Sequence, residues 1–226
     1  MNLEETREIA FENFENENYE KAAELGELIV ADKNSNIDDL RNLTMCYFYA
    51  GNDEKWTALG EKVLSHKEAD LDDVRNMLSF YMHTDDYAKT TELANKLEAS
   101  GELTREDKQN IAFCYFINED YKKAIEIGEP IIKDEGVDIS EIQILRDAYA
   151  MLENNDKSLE FARMVVEHPE SVVEDTLVLA ESYLFAEQYS NALVSLEKAL
   201  SDPSIDEDDK EAAQEMMEVI KNIDSK

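Results

Sequence analysis

Tyr47 returns as Tyr81, Tyr115, Tyr149 and Tyr183, each 34 positions after the last. Two more columns keep that phase: Ala22, Trp56, Thr90, Ala124, Ser158 and Ala192, and Tyr19, Asp53, Tyr87, Tyr121, Asn155 and Tyr189. No insertion breaks the interval, so six units follow at 3–36, 37–70, 71–104, 105–138, 139–172 and 173–206, then a tail. A unit this short cannot bury an apolar face alone, and a period held almost end to end therefore predicts like modules stacked on one another.

Within a unit the apolar residues recur at helical spacing, as in Ile111, Ala112, Tyr115 and Phe116, then again in Ala124, Ile127, Gly128, Ile131 and Ile132. Turn-forming stretches separate the two runs: AGND at 50–53, TDDY at 84–87, INED at 117–120 and ENND at 153–156. Between units stand KNSN, ASG, DEG, HPES and SDPS, helix stops built on Gly, Pro and Asn. Each unit is thus predicted to be a pair of helices, with neither a hairpin nor a glycine-rich phosphate loop.

Two stretches, IAFCYFINEDYKKAIEIG (111–128) and LAESYLFAEQYSNALVSL (179–196), set a small residue before a Tyr in the first helix and an Ala early in the second. In this the chain resembles the tetratricopeptide-repeat family. The resemblance implies an all-α, right-handed α-solenoid of six helix pairs plus a C-terminal capping helix at 207–224, forming one domain over 1–226. The sequence departs from the family pattern at its Trp position, which holds Thr6, Leu40, Val74, Lys108, Ile142 and Thr176, and lacks its Pro throughout. Where the family places a bulky aromatic in the second helix, this chain has Gly26, Gly60, Ala94, Gly128, Ala162 and Leu196. A mid-helix glycine costs roughly 1 kcal/mol relative to alanine, so three in one column predict close packing there.

The phrase DDLRN at 38–42 returns as DDVRN at 72–76 and more weakly as EDKQN at 106–110. Each begins two positions after a capping residue, and the pattern of a cap with an acid three residues on recurs as Asn2/Glu5, Asn36/Asp39, Asp70/Asp73, Thr104/Asp107, Asp138/Glu141 and Asp206/Asp209, with Val172 before Asp175 breaking it. The column Glu4, Asp38, Asp72, Glu106, Glu174 and Asp208 adds charge where the helix dipole is positive. Of the 54 acids, 16 lie at these three positions (three caps, six beside them, seven at the third), which accounts for half of the net charge of −32. The remainder, as in ENYEKAAELGE and DEDDKE, reads as a solvated face; DEDDKE lacks the central glycine of a calcium loop and runs into a helix, so no metal is expected. In the tail, Ala212, Ala213, Met216, Met217, Val219, Ile220 and Ile223 make an apolar stripe fit to cover the last pair.

A charge of −32 repels nucleic acid and anionic membrane at long range. The N-terminal residues lack the basic flank and apolar run of a signal peptide, no stretch reaches a membrane span, and two cysteines are too few for a disulfide scaffold, so a cytoplasmic location is expected. The thiols of Cys46 and Cys114 occupy equivalent positions two units apart and read as buried core. The three histidines are scattered, and no nucleophile, base and orienting acid share a face, so the chain is expected not to be an enzyme and to need no cofactor.

The resemblance implies that the first helices line a concave groove in which peptides bind. The stripe facing it holds Arg7, Arg41, Arg75, Gln109 and Gln143, with Asn42 and Asn76 beside them; then Phe11, Met45 and Phe113; then Tyr49, His83 and Phe185. Two readings of the arginine column stand side by side. Arg7, Arg41 and Arg75 form intrahelical pairs with Glu4, Asp38 and Asp72, or they present forked donors to a partner's carboxylates. The expected function is a non-enzymatic scaffold or adaptor that holds a protein or peptide, one that is basic overall or offers a carboxylate to the arginines. The alternatives are a regulatory peptide sensor and an accessory subunit of an enzyme.

Overall fold

A computed structural model describes residues 2–133 and 136–224 of the chain. Among these residues there are thirteen helices and no strand. The chain divides into two compact units, Met1–Glu102 and Leu103–Lys226. The first contains α1 (Leu3–Glu15), α2 (Tyr19–Val30), α3 (Ile37–Tyr49), α4 (Asp53–Leu64), α5 (Leu71–His83) and α6 (Tyr87–Ser100). The second contains α7 (Arg105–Ile117), α8 (Tyr121–Ile131), α9 (Ile139–Met151), α10 (Asn155–Glu167), α11 (Val173–Phe185), α12 (Tyr189–Leu200) and α13 (Glu207–Asp224). The odd-numbered helices begin at 3, 37, 71, 105, 139, 173 and 207, so the 34-residue cadence never slips. Of the DEG stop, Asp134 and Glu135 lie outside the described residues.

Capping chemistry sets those starts. Asn2, Asn36, Asp70, Thr104 and Asp138 each open a helix with a reciprocal box, in which the cap side chain accepts a backbone N–H and the third-position carboxylate accepts the cap's own N–H. At α11 only half survives: the Val172 N–H donates to Asp175 at 3.0 Å, but Val172 has nothing to accept with. For α13, the Asp209 N–H donates to Asp206 at 2.8 Å.

The turn between the helices of a pair requires a left-handed residue. Gly51 supplies it at φ 68°, whereas Glu17, Asp85, Glu119, Glu153 and Glu187 adopt φ of 56–62° at the corresponding positions. Non-glycine residues are strained there, and five of the six turns carry that strain on an acid.

The glycine column is a row of holes. A Cβ on Gly26 would lie 2.8 Å from Leu43 Cδ1, on Gly60 2.0 Å from Met77 Cε, and on Gly128 2.9 Å from Leu145 Cδ2. Each knob sits 17 residues after its hole, on the next helix. The pairing adjusts in volume: Ala162 packs in one cluster with Leu179, and at the last seam the sizes invert, Leu196 meeting the cluster of Ala213. What is close is therefore a side chain against a helix backbone, which is how native packing density is reached without the bulky aromatic.

In the second unit, α13 inserts Ala213 and Ile220, both fully buried, with Met216 and Met217 half-buried beside them, against Ala180, Ala192, Leu196 and Ala199. The covering stripe is narrower than the sequence indicated. Ala212, Val219 and Ile223 are exposed, because a helix seated on one side buries only the residues on its single facing line.

Candidate functional site

The arginine column does not end in solvent. Arg7 Nε and Nη2 donate to Asp39 Oδ1 and Oδ2 at 2.8 and 2.6 Å, and Arg41 donates to Asp73 in the same bidentate way at 2.6 and 2.7 Å. Their third nitrogens make the intrahelical pairs with Glu4 and Asp38, at 2.5 and 2.7 Å. Arg75 donates to Asp72 at 2.7 Å and to the Glu102 carbonyl at 3.0 Å. In the second unit Arg105 reaches Glu141 at 2.5 Å, and Gln143 donates to Asp175 at 2.9 Å. In place of forks held open for a partner, Arg7 and Arg41 thus close on acids of this chain.

The acceptors are the third-position capping acids, and the structure gives them a second task. Asp39, Asp73, Glu141 and Asp175 are all buried. Burial pushes the Asp39 and Asp73 carboxyls up, but the arginine bonds, with the Asn36 and Asp70 cap N–H groups, outweigh it and hold both below the usual carboxylate range. The sequence carries the signal as a spacing of 32 residues from Arg7 to Asp39 and from Arg41 to Asp73.

The tyrosine column makes a second ladder. The Tyr47 hydroxyl donates to Glu27, and Lys55 Nζ binds both at 2.8 Å while lying 4.5 Å over the Tyr47 ring. Tyr81 donates to Glu61 at 3.3 Å, with Lys89 2.8 Å from the same carboxylate. Tyr149 donates to Glu129 at 2.6 Å. At Tyr183 the acid is replaced by Arg163, which donates to the hydroxyl at 3.1 Å. Burial, then the neighbouring carboxylate, pushes Tyr81 up to about 12. Glu27 is exposed, as the sequence placed it, and also bridges helices.

Beside these paired charges, the odd-numbered helices also expose several large apolar residues. Phe11, Tyr49, Met151 and Phe185 are 64%, 51%, 59% and 60% exposed, and the last three share one position in their repeats with exposed His83. Tyr49 stacks on Tyr19 at 5.3 Å and meets Phe14 and Phe48 edge-on; Phe48 in turn stacks on Phe80 at 4.1 Å and touches His83 at 5.4 Å. An aromatic strip thus runs through the first unit. Asn42 and Asn76 are exposed, while Gln109 and Phe113 are half-buried.

Beside the strip, α1 and α3 part over α2 to leave a groove of about 640 Å³. Ala22, Gly26 and Ile29 floor it, Leu43 and Cys46 close one side, and Phe11, Phe14, Asn42 and Met45 stand at its walls. Four of the residues singled out in sequence, Arg7, Phe11, Asn42 and Met45, meet here. Burial pushes the Cys46 thiol up to about 11, and Cys114, also buried, up to about 12. Among the described residues, no cluster of three His, Cys, Asp or Glu is placed to hold a metal ion, and no helix is long and apolar enough to cross a membrane.

Solved structures settle the architecture. Over 85% of this chain and 77% of the other, the fold matches the C-terminal part of a repeat-containing protein from Cytophaga hutchinsonii, with a TM-score of 0.70 and 16% identity. YrrB, described as a TPR protein with an unusual peptide-binding site, matches over 87% of this chain and 99% of its own at a TM-score of 0.70 and 15% identity. This chain has the tetratricopeptide-repeat fold. A MamA fragment from Desulfovibrio magneticus is similar over 73% of this chain and 93% of its own, at a TM-score of 0.64 and 16% identity. No family model and no curated protein matches the sequence. In repeat terms, the arginine and tyrosine ladders both join one tetratricopeptide unit to the next, and the exposed Tyr49, Met151 and Phe185 share one position on their first helices.

Proposed function

We propose that the protein is a non-enzymatic interaction module, a scaffold or adaptor, that holds a protein segment along the outward faces of its first helices. One observation carries this reading: large apolar residues are exposed at the same repeat position, in Tyr49, Met151 and Phe185, next to half-buried Ile117 and exposed His83. Single exposed apolar side chains are ordinary on any surface, but recurrence at one register position is not expected from scatter. Phe11, Asn42, Met45, Asn76, Gln109 and Phe113 extend the proposed face, while Arg7, Arg41, Arg75 and Gln143 hold its backbone in place. The described neighbour YrrB, with its peptide-binding site, supports the same class of role.

The non-enzymatic part of this reading is supported by Cys46, the thiol at the groove, which is enclosed and whose pKa burial pushes up to about 11.

Site-specific photo-crosslinking in the native cell tests the reading. Reporters at Tyr49 and Phe185 should form an adduct with a discrete protein, whereas reporters at Leu28 and Val194, equally exposed on second helices at 64% and 65%, should not. Equal adducts at all four positions, or none, would remove it.

A further inference from the structure

We propose that the groove between α1 and α3 takes a short protein segment whose bulky apolar side chain is flanked by lysine or arginine. The proposal rests on the interaction reading above and specifies its occupant in the first unit.

The floor explains the apolar anchor. Ala22 and Gly26, the latter covered by the Leu43 side chain, form the floor with Ile29, and none of these side chains carries a polar atom. A volume of about 640 Å³ lies within the range of about 300–1,000 Å³ typical of built binding pockets. Phe11 stands over the opening, so an entering side chain would bury apolar area on the groove and on its lid together.

The rim explains the charge. Glu8, Glu15 and Asp38 surround the opening, and Glu8 and Glu15 are exposed with no hydrogen bond or ion pair among the described residues. The one cation on the rim, Arg7, is shared between Asp39 and Glu4, so it has no fork to offer an incoming carboxylate. An acidic segment would meet repulsion at the rim and from a chain of net charge −32, and a basic one would meet attraction at both ranges. Charge complementarity therefore selects between the two partner types left open by sequence, in favour of the basic one.

The test uses the full chain and a short synthetic peptide with central Leu and Phe flanked by lysines, followed by fluorescence anisotropy at low salt and at about 0.15 M salt. The lysine peptide should bind at least about tenfold tighter than its glutamate sibling, tighten as salt falls, and shift the Met45 methyl resonance. Replacing both anchors by alanine, or making Phe11→Ala, should abolish the Met45 shift. The double variant Glu8→Lys with Glu15→Lys, two exposed side chains whose loss leaves the fold intact, should weaken the lysine peptide about tenfold or more. Equal affinity for the glutamate sibling, or binding that leaves Met45 and the Glu8/Glu15 variant unaffected, overturns the proposal. If neither peptide binds while photo-adducts still form at Tyr49, this occupant fails and the interaction reading survives.

Discussion

Arg41 and Asp73 meet fork to fork across a repeat boundary, with Nε and Nη2 2.6 and 2.7 Å from the two carboxylate oxygens, and the Asp73 side chain is only 2% exposed. The same carboxylate accepts the Asp70 N–H at 3.0 Å. One acid therefore starts a helix and ties it to the preceding repeat. Removing Arg41 strands a buried charge, so Arg41→Gln should cost about 1–3 kcal/mol. Asp38→Asn, which removes only the intrahelical pair to a carboxylate 68% exposed, should cost a few tenths of a kcal/mol by comparison. Urea melts of the two variants and of Asp73→Asn, read as a double-mutant cycle with Arg41→Gln, check the ranking.

The acid limb of the stability curve should carry the same signature. Because the folded-state pKa of Asp73 lies below its unfolded value of about 3.9, its contribution is complete above that value and is lost as pH falls through the depressed folded pKa. Protonating other acids relieves repulsion in the same range, so the total curve mixes opposite slopes. The difference between wild type and Asp73→Asn isolates one group. It should stay constant near neutrality and shrink below about pH 4; a gap that widens on acidification would contradict the depressed pKa.

The glycine column makes a packing prediction. Met77 is 2% exposed and occupies the space that a Cβ on Gly60 would need. Overpacking costs about 1–3 kcal/mol and better helix propensity returns about 1 kcal/mol, so Gly60→Ala should be net destabilising by about 1 kcal/mol. Shortening the knob with Met77→Ala in the Gly60→Leu background should recover stability relative to Gly60→Leu alone, as the inverted seam of Leu196 and Ala213 does naturally.

Turn strain gives a prediction of opposite sign. Glu119 sits at φ 62° where Gly51 sits at 68° in its own repeat. Glycine escapes about 1–2 kcal/mol of left-handed strain and loses about 0.5–1 kcal/mol in unfolded-state entropy, so Glu119→Gly should stabilise by about 0.5–1 kcal/mol. Gly51→Glu should lose a similar amount, and thermal melts of the pair check both.

Which features could be read from sequence follows from their range. Caps, turns and the cadence are local, so Asn36 with Asp39 and the start of α3 were legible from a few residues. The intrahelical pair of Arg41 with Asp38 was legible for the same reason. The fork onto Asp73 was not, because it depends on where the next helix places its third residue. Only the shared 32-residue spacing of Arg7/Asp39 and Arg41/Asp73 hinted at it. The bridging role of Glu27 was hidden likewise, although its exposure was read: its partner Tyr47 lies 20 positions on, and Lys55 a further eight. At the site, the shared register position of Tyr49 and Phe185 was readable from the repeat, whereas their exposure depends on packing and the groove on the gap between α1 and α3, which no single repeat encodes.

The most direct test separates the charged ladder from the aromatic face. A photo-reporter at exposed Asn42 would be read for adduct yield in wild type, Arg41→Gln and Phe11→Ala, with the melting temperature of each measured alongside. The account predicts that Arg41→Gln lowers the melting temperature yet keeps the adduct at temperatures where it remains folded, and that Phe11→Ala melts like wild type but loses the adduct. Loss of the adduct in folded Arg41→Gln, with full yield in Phe11→Ala, would contradict it.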